Sequence, residues 1–220
     1  MENILGNIVN DSTRNFILEH THIHMSNDLK KIYEYALENR IPIIDKEVQS
    51  ILKMFLSVKK PKKILEFGTA IGFSSLLMYE ELKGNVSIVT MERDKQRINV
   101  AKNNFKLFNC EDKIKILEGD CFENIKLQND NYDFIFVDSS KSHYKKIFDS
   151  CIQNLNKDGI MVFDNIMYKG MIVSDELVER RKKTIVKNMR NFIQDIVKDE
   201  NYFVSILPIG DGVMILRRNN

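Results

Sequence analysis

The sequence predicts an α/β fold built on a seven-stranded, mostly parallel sheet, and two observations lead to this class. Short apolar runs bounded by turn residues recur between Lys63 and Phe163, as is typical of strands buried on both faces. Helical patterns separate these runs, and such a βαβ alternation implies right-handed crossovers between parallel strands. We expect six parallel strands and one antiparallel strand.

The first 57 residues are predicted to form a helical extension ahead of the sheet. Ser26 precedes apolar residues at helical spacing and is a suitable helix cap. The segment Ile41–Ile43 contains a proline and interrupts the pattern, which resumes over Lys46–Leu56. Together with the sheet, this extension gives a single domain covering residues 1–220.

The remaining elements follow from the change between apolar runs and helical spacing. Strands are predicted at Lys63–Phe67, Val86–Met91, Lys113–Leu117, Tyr132–Val137 and Ile160–Phe163, and helices at Phe73–Leu82, Asp94–Phe108, Cys121–Leu127 and Ser142–Leu155. Residues 177–198 are predicted to form a long, basic, amphipathic helix. Two final strands, Tyr202–Leu207 and Gly212–Leu216, are joined by a short link, which favours an antiparallel hairpin at the sheet edge.

Composition narrows the classes of function without choosing one. The formal net charge of +2 gives no argument for a nucleic-acid partner, so such a partner would need local basic patches. The three cysteines are widely spaced and form no CxxC pair, which favours a reducing cytoplasm. No apolar segment approaches the length of a membrane span, and we expect a cytoplasmic protein without a membrane partner.

Oxygen-bearing side chains end two of the predicted strands. Asp138 follows the run Tyr132–Val137, and the pair Asp164 and Asn165 follows Ile160–Phe163. Because neighbouring parallel strands end at the same edge of a sheet, these oxygens are expected to meet. Two carboxylates and an amide suit a hard divalent cation, so the sequence predicts a magnesium site.

The turn Gly68–Ser74 follows a strand and opens a helix, as in nucleotide-binding folds. Ala70 stands where a dinucleotide fingerprint places a glycine that lets the backbone approach a pyrophosphate. This difference favours S-adenosylmethionine, which has no pyrophosphate, over NAD. Glu92 is placed to bind the ribose hydroxyls and Glu66 the methionine amino group.

The third strand ends at Asp120 and Cys121, beside the expected position of the adenine. A tight turn with no ligand is the alternative interpretation of Gly68 and Gly72. For Cys121, a small buried thiol is a better interpretation than a nucleophile, because no base is evident nearby in the sequence.

At these residues the sequence resembles the cation-dependent O-methyltransferases, a class I S-adenosylmethionine-dependent family that includes catechol and caffeoyl-CoA O-methyltransferases. The resemblance covers nearly the full length and is carried by Ile64–Ser74, Glu92–Arg93, Val137–Lys141 and Asp164–Asn165. Further stretches are most similar to the bacterial tRNA 5-hydroxyuridine methyltransferases: Ile41–Ile43, Ser57–Glu66, Lys169–Gly170, Arg180–Lys183 and Pro208–Gly212. The resemblance implies a Rossmann-like methyltransferase fold.

The resemblance also implies roles for individual residues. It places magnesium on Asp138, Asp164 and Asn165, and it places a catalytic base at Lys141. It surrounds the cofactor with Ile43, Glu66, Gly68, Ser74, Glu92, Asp120, Cys121 and Asp138. Beside a dication the uncharged amine of Lys141 is favoured, which suits a base, although a solvated lysine opening a helix is the alternative.

The resemblance implies magnesium-dependent methylation of 5-hydroxyuridine at the tRNA wobble position by a homodimer. Arg180, Arg181, Lys182 and Lys183 are then expected to bind RNA phosphates, although the sequence alone equally allows a solvated face. One alternative is methylation of a small catechol or caffeoyl-CoA-like phenol. A non-catalytic S-adenosylmethionine-binding protein is another, and the intact set of Asp138, Lys141, Asp164 and Asn165 argues against it.

Overall fold

The computed structural model describes residues 10–219, which form a single seven-stranded sheet. Its strands are β1 (Lys63–Phe67), β2 (Ser87–Glu92), β3 (Ile114–Glu118), β4 (Tyr132–Val137), β5 (Leu155–Phe163), β6 (Tyr202–Leu207) and β7 (Val213–Arg218). The strand order is β3-β2-β1-β4-β5-β7-β6. Strands β1 to β5 pair in parallel, and β7 is antiparallel to both β5 and β6. This confirms the predicted class, with β7 as the antiparallel strand.

Eight α-helices accompany the sheet within residues 10–219, and seven of them, α2 to α8, cover its two faces. They are α1 (Asp11–His20), α2 (Asn27–Glu38), α3 (Lys46–Lys59), α4 (Phe73–Glu81), α5 (Lys95–Leu107), α6 (Cys121–Lys126), α7 (Tyr144–Cys151) and α8 (Lys183–Lys198). Helices α2 to α5 pack their apolar side chains on one face, and α6 to α8 pack theirs on the other. None of these helices is long and apolar enough to cross a membrane.

The N-terminal extension contains α1, α2 and α3, as the helical patterns predicted, and residues 1–9 of that prediction lie outside the described residues. The Ser26 hydroxyl caps α2 by accepting a hydrogen bond from the Leu29 amide at 3.2 Å. Leu29 and Leu52 belong to the same core as Ile64 of β1, so α2 and α3 are packed directly on the sheet. The single-domain assignment of residues 1–220 stays a prediction.

Two predicted helices have different limits in the structure. The helix predicted over Ser142–Leu155 is shorter: a 3₁₀ turn over Lys141–His143 precedes α7, and another over Ile152–Asn154 follows it. Leu155 instead pairs with Tyr132 of β4 and begins β5. The helix predicted over residues 177–198 begins only at Lys183. In both places local propensity yields to tertiary contacts that hold the flanking chain.

Candidate active site

A cavity of about 360 Å³ opens at the carboxyl ends of β1 to β4. The strand order reverses between β1 and β4, which is the position where open α/β sheets bind ligands. The cavity is lined by Pro42, Phe67, Gly68, Ala70, Met91, Glu92, Arg93, Arg97, Gly119, Asp120, Cys121, Asp138, Ser139, Ser140, Lys141 and His143. It therefore brings together six of the predicted site residues: Gly68, Glu92, Asp120, Cys121, Asp138 and Lys141.

Gly68 allows the β1–α4 turn to lie directly against the end of β4. Its φ is +108°, and a Cβ at this position would lie 2.1 Å from the Asp138 carbonyl oxygen. The Gly68 and Thr69 amides both donate to the Met91 carbonyl at 3.1 Å. Because any side chain at residue 68 would push β4 away, this turn requires glycine whether or not a ligand binds.

The Glu92 carboxylate is held at the cavity wall by three backbone amides. Its Oε2 accepts from Ala70 at 3.0 Å, and its Oε1 accepts from Arg93 at 2.9 Å and Asp94 at 3.0 Å. These bonds join the end of β2 to the β1–α4 turn and fix the direction of the carboxylate. Each oxygen retains acceptor capacity for a ligand in the cavity.

Asp120 and Cys121 form the end of the cavity beyond β3. The Asp120 carboxylate caps α6, accepting from the Phe122 amide at 2.8 Å and the Glu123 amide at 3.3 Å. Burial raises the pKa of the Cys121 thiol, and the adjacent Asp120 raises it further. The thiol form is therefore favoured, as expected for a packing residue rather than a nucleophile.

Glu66 lies beneath the turn, outside the lining of the cavity. Its side chain is fully buried and accepts hydrogen bonds from the hydroxyls of Ser75 and of Thr90, the latter at 2.6 Å. Burial raises the pKa of Glu66, although hydrogen bonds from Ser74, Ser75 and Thr90 oppose this shift. Ser74 is likewise buried at the start of α4. The predicted cofactor contacts of both residues stay predictions.

Ile43 is partly buried and packs against the core of the α2–α5 face, while its neighbour Pro42 lines the cavity. The predicted cofactor contact of Ile43 also stays a prediction.

The side chains proposed to hold a metal converge beside the cavity. Lys141 Nζ lies 2.8 Å from Asn165 Oδ1 and 3.4 Å from Asp138 Oδ1. Asp164 is 1% exposed, and its Oδ1 accepts from the Asn165 amide at 2.7 Å. Its Oδ2 is buried and has no hydrogen-bond partner within the described part of the chain. Such an orphaned carboxylate oxygen is expected where a ligand or ion completes the site.

Two residues outside the predicted site support Asp164 and the loop after Asn165. The Tyr144 hydroxyl donates to the Asp164 carbonyl at 2.6 Å. The Asp211 carboxylate accepts from the Lys169 amide, with both oxygens at 2.8 Å, and so holds the loop after Asn165. Asp211 lies in the turn Pro208–Gly212, which the sequence marked as a hairpin link and as a stretch similar to tRNA-modifying enzymes, with no site role.

Asp45 is a third residue outside the predicted site, and its charge opposes that of Asp164. Burial is the main cause that raises the pKa of Asp45, Asp164 and Asp211. The charge of Asp138 further raises the pKa of Asp45 and Asp164. Asp164 is buried and the other carboxylates are half-buried, and a site in which their charges oppose one another is one that a cation would stabilise.

The predicted RNA-binding residues lie at the start of α8, and one of them contacts the loop that follows Asn165. Arg180, Arg181 and Lys182 form a 3₁₀ turn, and Lys183 begins α8. Lys182 Nζ lies 5.6 Å from the centre of the Tyr168 ring, three residues beyond Asn165. Arg180, Arg181 and Lys183 are exposed, and Arg181 pairs with Glu179 at 3.0 Å. The contact of Lys182 with Tyr168 therefore brings this turn of cations next to the loop that follows Asn165.

Comparison with known families shows the class of protein to which this chain belongs. Residues 19–219 match the model of the O-methyltransferase family. The chain belongs to this family. A Populus kitakamiensis caffeoyl-CoA O-methyltransferase is 28% identical over 177 residues, which cover 76% of this chain and 74% of the relative.

Solved structures of similar proteins have the same fold as this O-methyltransferase. A Staphylococcus aureus protein assigned as a caffeoyl-CoA O-methyltransferase is 28% identical, with a TM-score of 0.86 over 96% of this chain and 100% of the other. The Podospora anserina methyltransferase PaMTH1, solved with S-adenosylhomocysteine, is 24% identical, with a TM-score of 0.85 over 98% of this chain and 100% of the other. The family resemblance is thus confirmed. The closer resemblance to tRNA-modifying enzymes stays a prediction, because these relatives carry no tRNA name.

Proposed function

We propose that this O-methyltransferase moves the methyl group of S-adenosylmethionine to a hydroxyl that lies beside a second oxygen atom. The observation that carries the proposal is the convergence of Asp138, Lys141 and Asn165 at the edge of the cavity. Asp138 and Lys141 line this cavity together with Gly68 and Glu92. The methyl acceptor and S-adenosylmethionine would therefore bind in the same cavity.

The cavity suits S-adenosylmethionine in its size and in its polar groups. Its volume of about 360 Å³ lies within the range of small-molecule sites. The fixed carboxylate of Glu92 is an acceptor for ribose hydroxyls, and the end formed by Asp120 and Cys121 would receive the adenine. Ala70 takes the position where a pyrophosphate-binding turn needs glycine, which favours this cofactor over a dinucleotide.

We expect Glu92→Ala to weaken S-adenosylmethionine binding by roughly tenfold or more, because hydrogen bonds to a charged group are among the stronger ones. Calorimetry on the folded variant measures this change. Glu111→Ala, which removes an exposed carboxylate elsewhere, is the matched control and should bind as the wild type does. Unchanged affinity in a folded Glu92→Ala variant would remove the ribose assignment.

The oxygen donors fit Mg²⁺, which prefers carboxylate and amide oxygens. Asp138, Asp164 and Asn165 would hold the ion, and the buried Asp164 Oδ2 supplies an acceptor otherwise unsatisfied in the described part of the chain. Within residues 10–219 no three His, Cys, Asp or Glu side chains group around a metal position, so the amide of Asn165 is needed to complete this set. When bound, the ion would lower the pKa of the acceptor hydroxyl and fix its direction.

Magnesium affinity is expected to rise with pH. Burial, followed by the charge of Asp138, raises the pKa of Asp164 to about 8. Below that pH the carboxyl is protonated, and a metal must displace the proton to bind. Calorimetry at several pH values should therefore show affinity that increases up to about pH 8 and then levels off. Affinity that is constant from about pH 6 to pH 9 would contradict this coupling.

Lys141 is placed to take the proton released during transfer. Its Nζ is positioned by Asn165 Oδ1 at 2.8 Å and by Asp138 Oδ1 at 3.4 Å. As the acceptor oxygen forms its bond to the methyl carbon, the bond between that carbon and sulfur breaks. S-adenosylhomocysteine leaves as the neutral thioether, and the uncharged amine of Lys141 receives the hydroxyl proton.

The acceptor that the relatives favour is a small phenol with neighbouring oxygens, such as a catechol or a caffeoyl-CoA-like ester. Relatives with caffeoyl-CoA names cover most of this chain, which supports this acceptor over tRNA. The direct experiment incubates the protein with S-adenosylmethionine, Mg²⁺ and either catechol or tRNA containing 5-hydroxyuridine, and follows methylation by mass spectrometry. Methylation of neither acceptor would remove both assignments.

A second candidate acceptor is tRNA carrying 5-hydroxyuridine, which the exposed cations Arg180, Arg181 and Lys183 favour. If RNA is bound there, these residues and Lys182 neutralise phosphates and release counterions. Replacing all four by alanine should then raise the KM for tRNA and reduce the salt dependence of binding by a slope of about 0.7 to 0.9 per lost contact. S-adenosylmethionine affinity and methylation of catechol should not change.

The control for this variant replaces four exposed lysines on α2, α5 and β3, namely Lys30, Lys31, Lys106 and Lys115. It lowers the net charge equally and leaves the loop after Asn165 intact. If both variants weaken tRNA binding alike, the effect is one of net charge only. If the Arg180–Lys183 variant keeps wild-type kinetics on tRNA, these cations form a solvated face.

The homodimer stays a prediction, which light scattering would test.

A further inference from the structure

A second cavity lies outside the proposed active site, between α1, α3 and the turn that joins β6 to β7. Its volume is about 300 Å³. Its apolar walls are formed by Ile17, Ile51, Met54, Pro208 and Ile209, and polar side chains reach it from Arg14, Thr21, Glu47 and Ser50. Among the described residues, the two cavities share no lining residue. Methyl transfer as proposed above makes no use of this space.

The cavity exists because α1 is attached to the protein by polar contacts rather than by close packing. None of residues 11–20 in α1 is buried. Arg14 Nε instead pairs with Glu47 Oε1 at 2.8 Å, and Lys46 Nζ donates to the Leu18 carbonyl at 2.8 Å. Arg14, Ile17 and Thr21 lie on one side of the segment at helical spacing and face α3 across the gap. These contacts hold the two walls apart.

Glu47 is a carboxylate in the wall of this mostly apolar cavity, and one of its oxygens lacks a hydrogen-bond donor in the described part of the chain. Its side chain is 9% exposed, and Arg14 engages only its Oε1. Its Oε2 is buried and has no hydrogen-bond partner among residues 10–219. A carboxylate oxygen that is removed from water without a partner costs free energy, which a ligand with a hydrogen-bond donor would recover.

We propose that this cavity is a binding site for a small amphipathic molecule with an apolar body and one hydrogen-bond-donating head, an amine or an alcohol. The head donates to the Glu47 carboxylate, which turns its Oε2 towards the cavity on binding, and the body packs between Ile17, Ile51 and Met54. A volume of about 300 Å³ is at the lower limit of small-molecule sites, so the occupant is the size of a substituted single ring. A carboxylate head is disfavoured, because it would place a second acceptor against Glu47.

The experiment uses 2-phenylethylamine and 2-phenylethanol as probes, with 3-phenylpropionate as the acceptor-only control. Protein labelled with ¹³C at the methionine methyl groups reports binding through Met54, which lines the cavity and whose signal is assigned with Met54→Leu. We expect the amine and the alcohol to shift the Met54 signal saturably and to give one-to-one calorimetric binding. The carboxylate should bind at least about tenfold more weakly.

Two variants test the contacts separately. Glu47→Gln keeps an oxygen for Arg14 and turns an amide NH₂ towards the cavity, so both donor probes should bind about tenfold more weakly or worse. The matched control, Glu38→Gln, changes an exposed glutamate of α2 and should bind the probes normally. Ile51→Phe fills the cavity and should abolish binding. If Glu47→Gln does not fold, Ile51→Phe and the Met54 signal decide the question.

The proposal is overturned if the donor probes at about 10 mM leave the Met54 signal of the folded wild type unchanged. A probe with a Kd of about 1 mM would occupy most of the sites at that concentration. It is also overturned if folded Glu47→Gln binds them as the wild type does, or if Ile51→Phe still binds them. S-adenosylmethionine affinity and methyl transfer are measured on the same samples. Loss of those activities would count against the proposed function, whereas loss of probe binding alone would count against this site.

Discussion

The methyl-transfer rate of Asp164→Ala is expected to be more than about a hundredfold below that of the wild type. Loss of a direct metal ligand should lower the rate more than loss of a residue that only supports a ligand, which typically lowers it by about 10- to 100-fold. Asp164 supplies a carboxylate that is 1% exposed, and its Oδ2 has no hydrogen-bond partner in the described structure. Removing it takes away one of two anionic ligands for Mg²⁺. Calorimetric titration with Mg²⁺, together with single-turnover rates, measures both effects.

The fold of this variant is expected to survive, and S-adenosylmethionine should bind with nearly unchanged affinity. Alanine removes a buried group that opposes Asp138, and the Tyr144 hydroxyl bonds to the backbone carbonyl of residue 164, which the substitution retains. Asp149→Ala, which removes an exposed carboxylate paired with Lys145 on α7, is the control and should keep wild-type activity. Full turnover of the wild type in excess EDTA would show that the reaction needs no divalent cation.

Lys141→Ala should lower turnover by about 10²–10⁴ if the amine takes the proton of the acceptor hydroxyl. The Lys141 side chain is held by Asn165 at 2.8 Å and by Asp138 at 3.4 Å. The neighbouring Lys145 pairs with Asp149 instead, so it is not placed to replace Lys141. Loss of the base should also flatten the pH dependence of kcat. Steady-state kinetics over a pH series, with S-adenosylmethionine and Mg²⁺ saturating, measures both changes.

Lys145→Ala is the matched control for this variant. Lys145 lies on the same segment of the chain, is exposed and pairs only with Asp149 among the ion pairs of the described residues. Its loss should leave kcat and the pH profile unchanged. A decrease below about threefold for Lys141→Ala at every pH would assign Lys141 an orienting role in place of proton transfer.

Periodicity predicted most of the elements because the pattern of apolar residues is a local property. Strands β1, β4 and β6 begin and end where the sequence places them, and α6 and α4 begin as predicted. Helix ends were less predictable. Leu155 pairs with Tyr132 of β4, and the Arg190 side chain donates to the carbonyls of Met171 and Ile172 ahead of α8. Such contacts join residues far apart in the sequence, and no local pattern encodes them.

The sequence also identified candidate site residues, because parallel strands place their carboxyl ends at one edge. Asp138 and Glu92 were found in this way, and the structure places both at the cavity. The sequence did not identify the residues that hold the site in place by hydrogen bonds and belong to no motif. Asp211 was recognised only as part of a turn and of a stretch similar to tRNA-modifying enzymes, and Tyr144 gave no signal beyond a helical apolar position.

By itself the sequence determined the class of this protein, from the alternation of strands and helices and from the oxygen-bearing residues that end the strands. Only the tertiary structure decided which side chains share a space. It buried Glu66 beneath the turn, brought Asp45 towards Asp164, tied Asp211 to the loop after Asn165, and separated α1 from α3 around Glu47. Burial and pKa depend on atoms contributed by distant segments, whereas apolar spacing and strand ends can be read along a single stretch of chain.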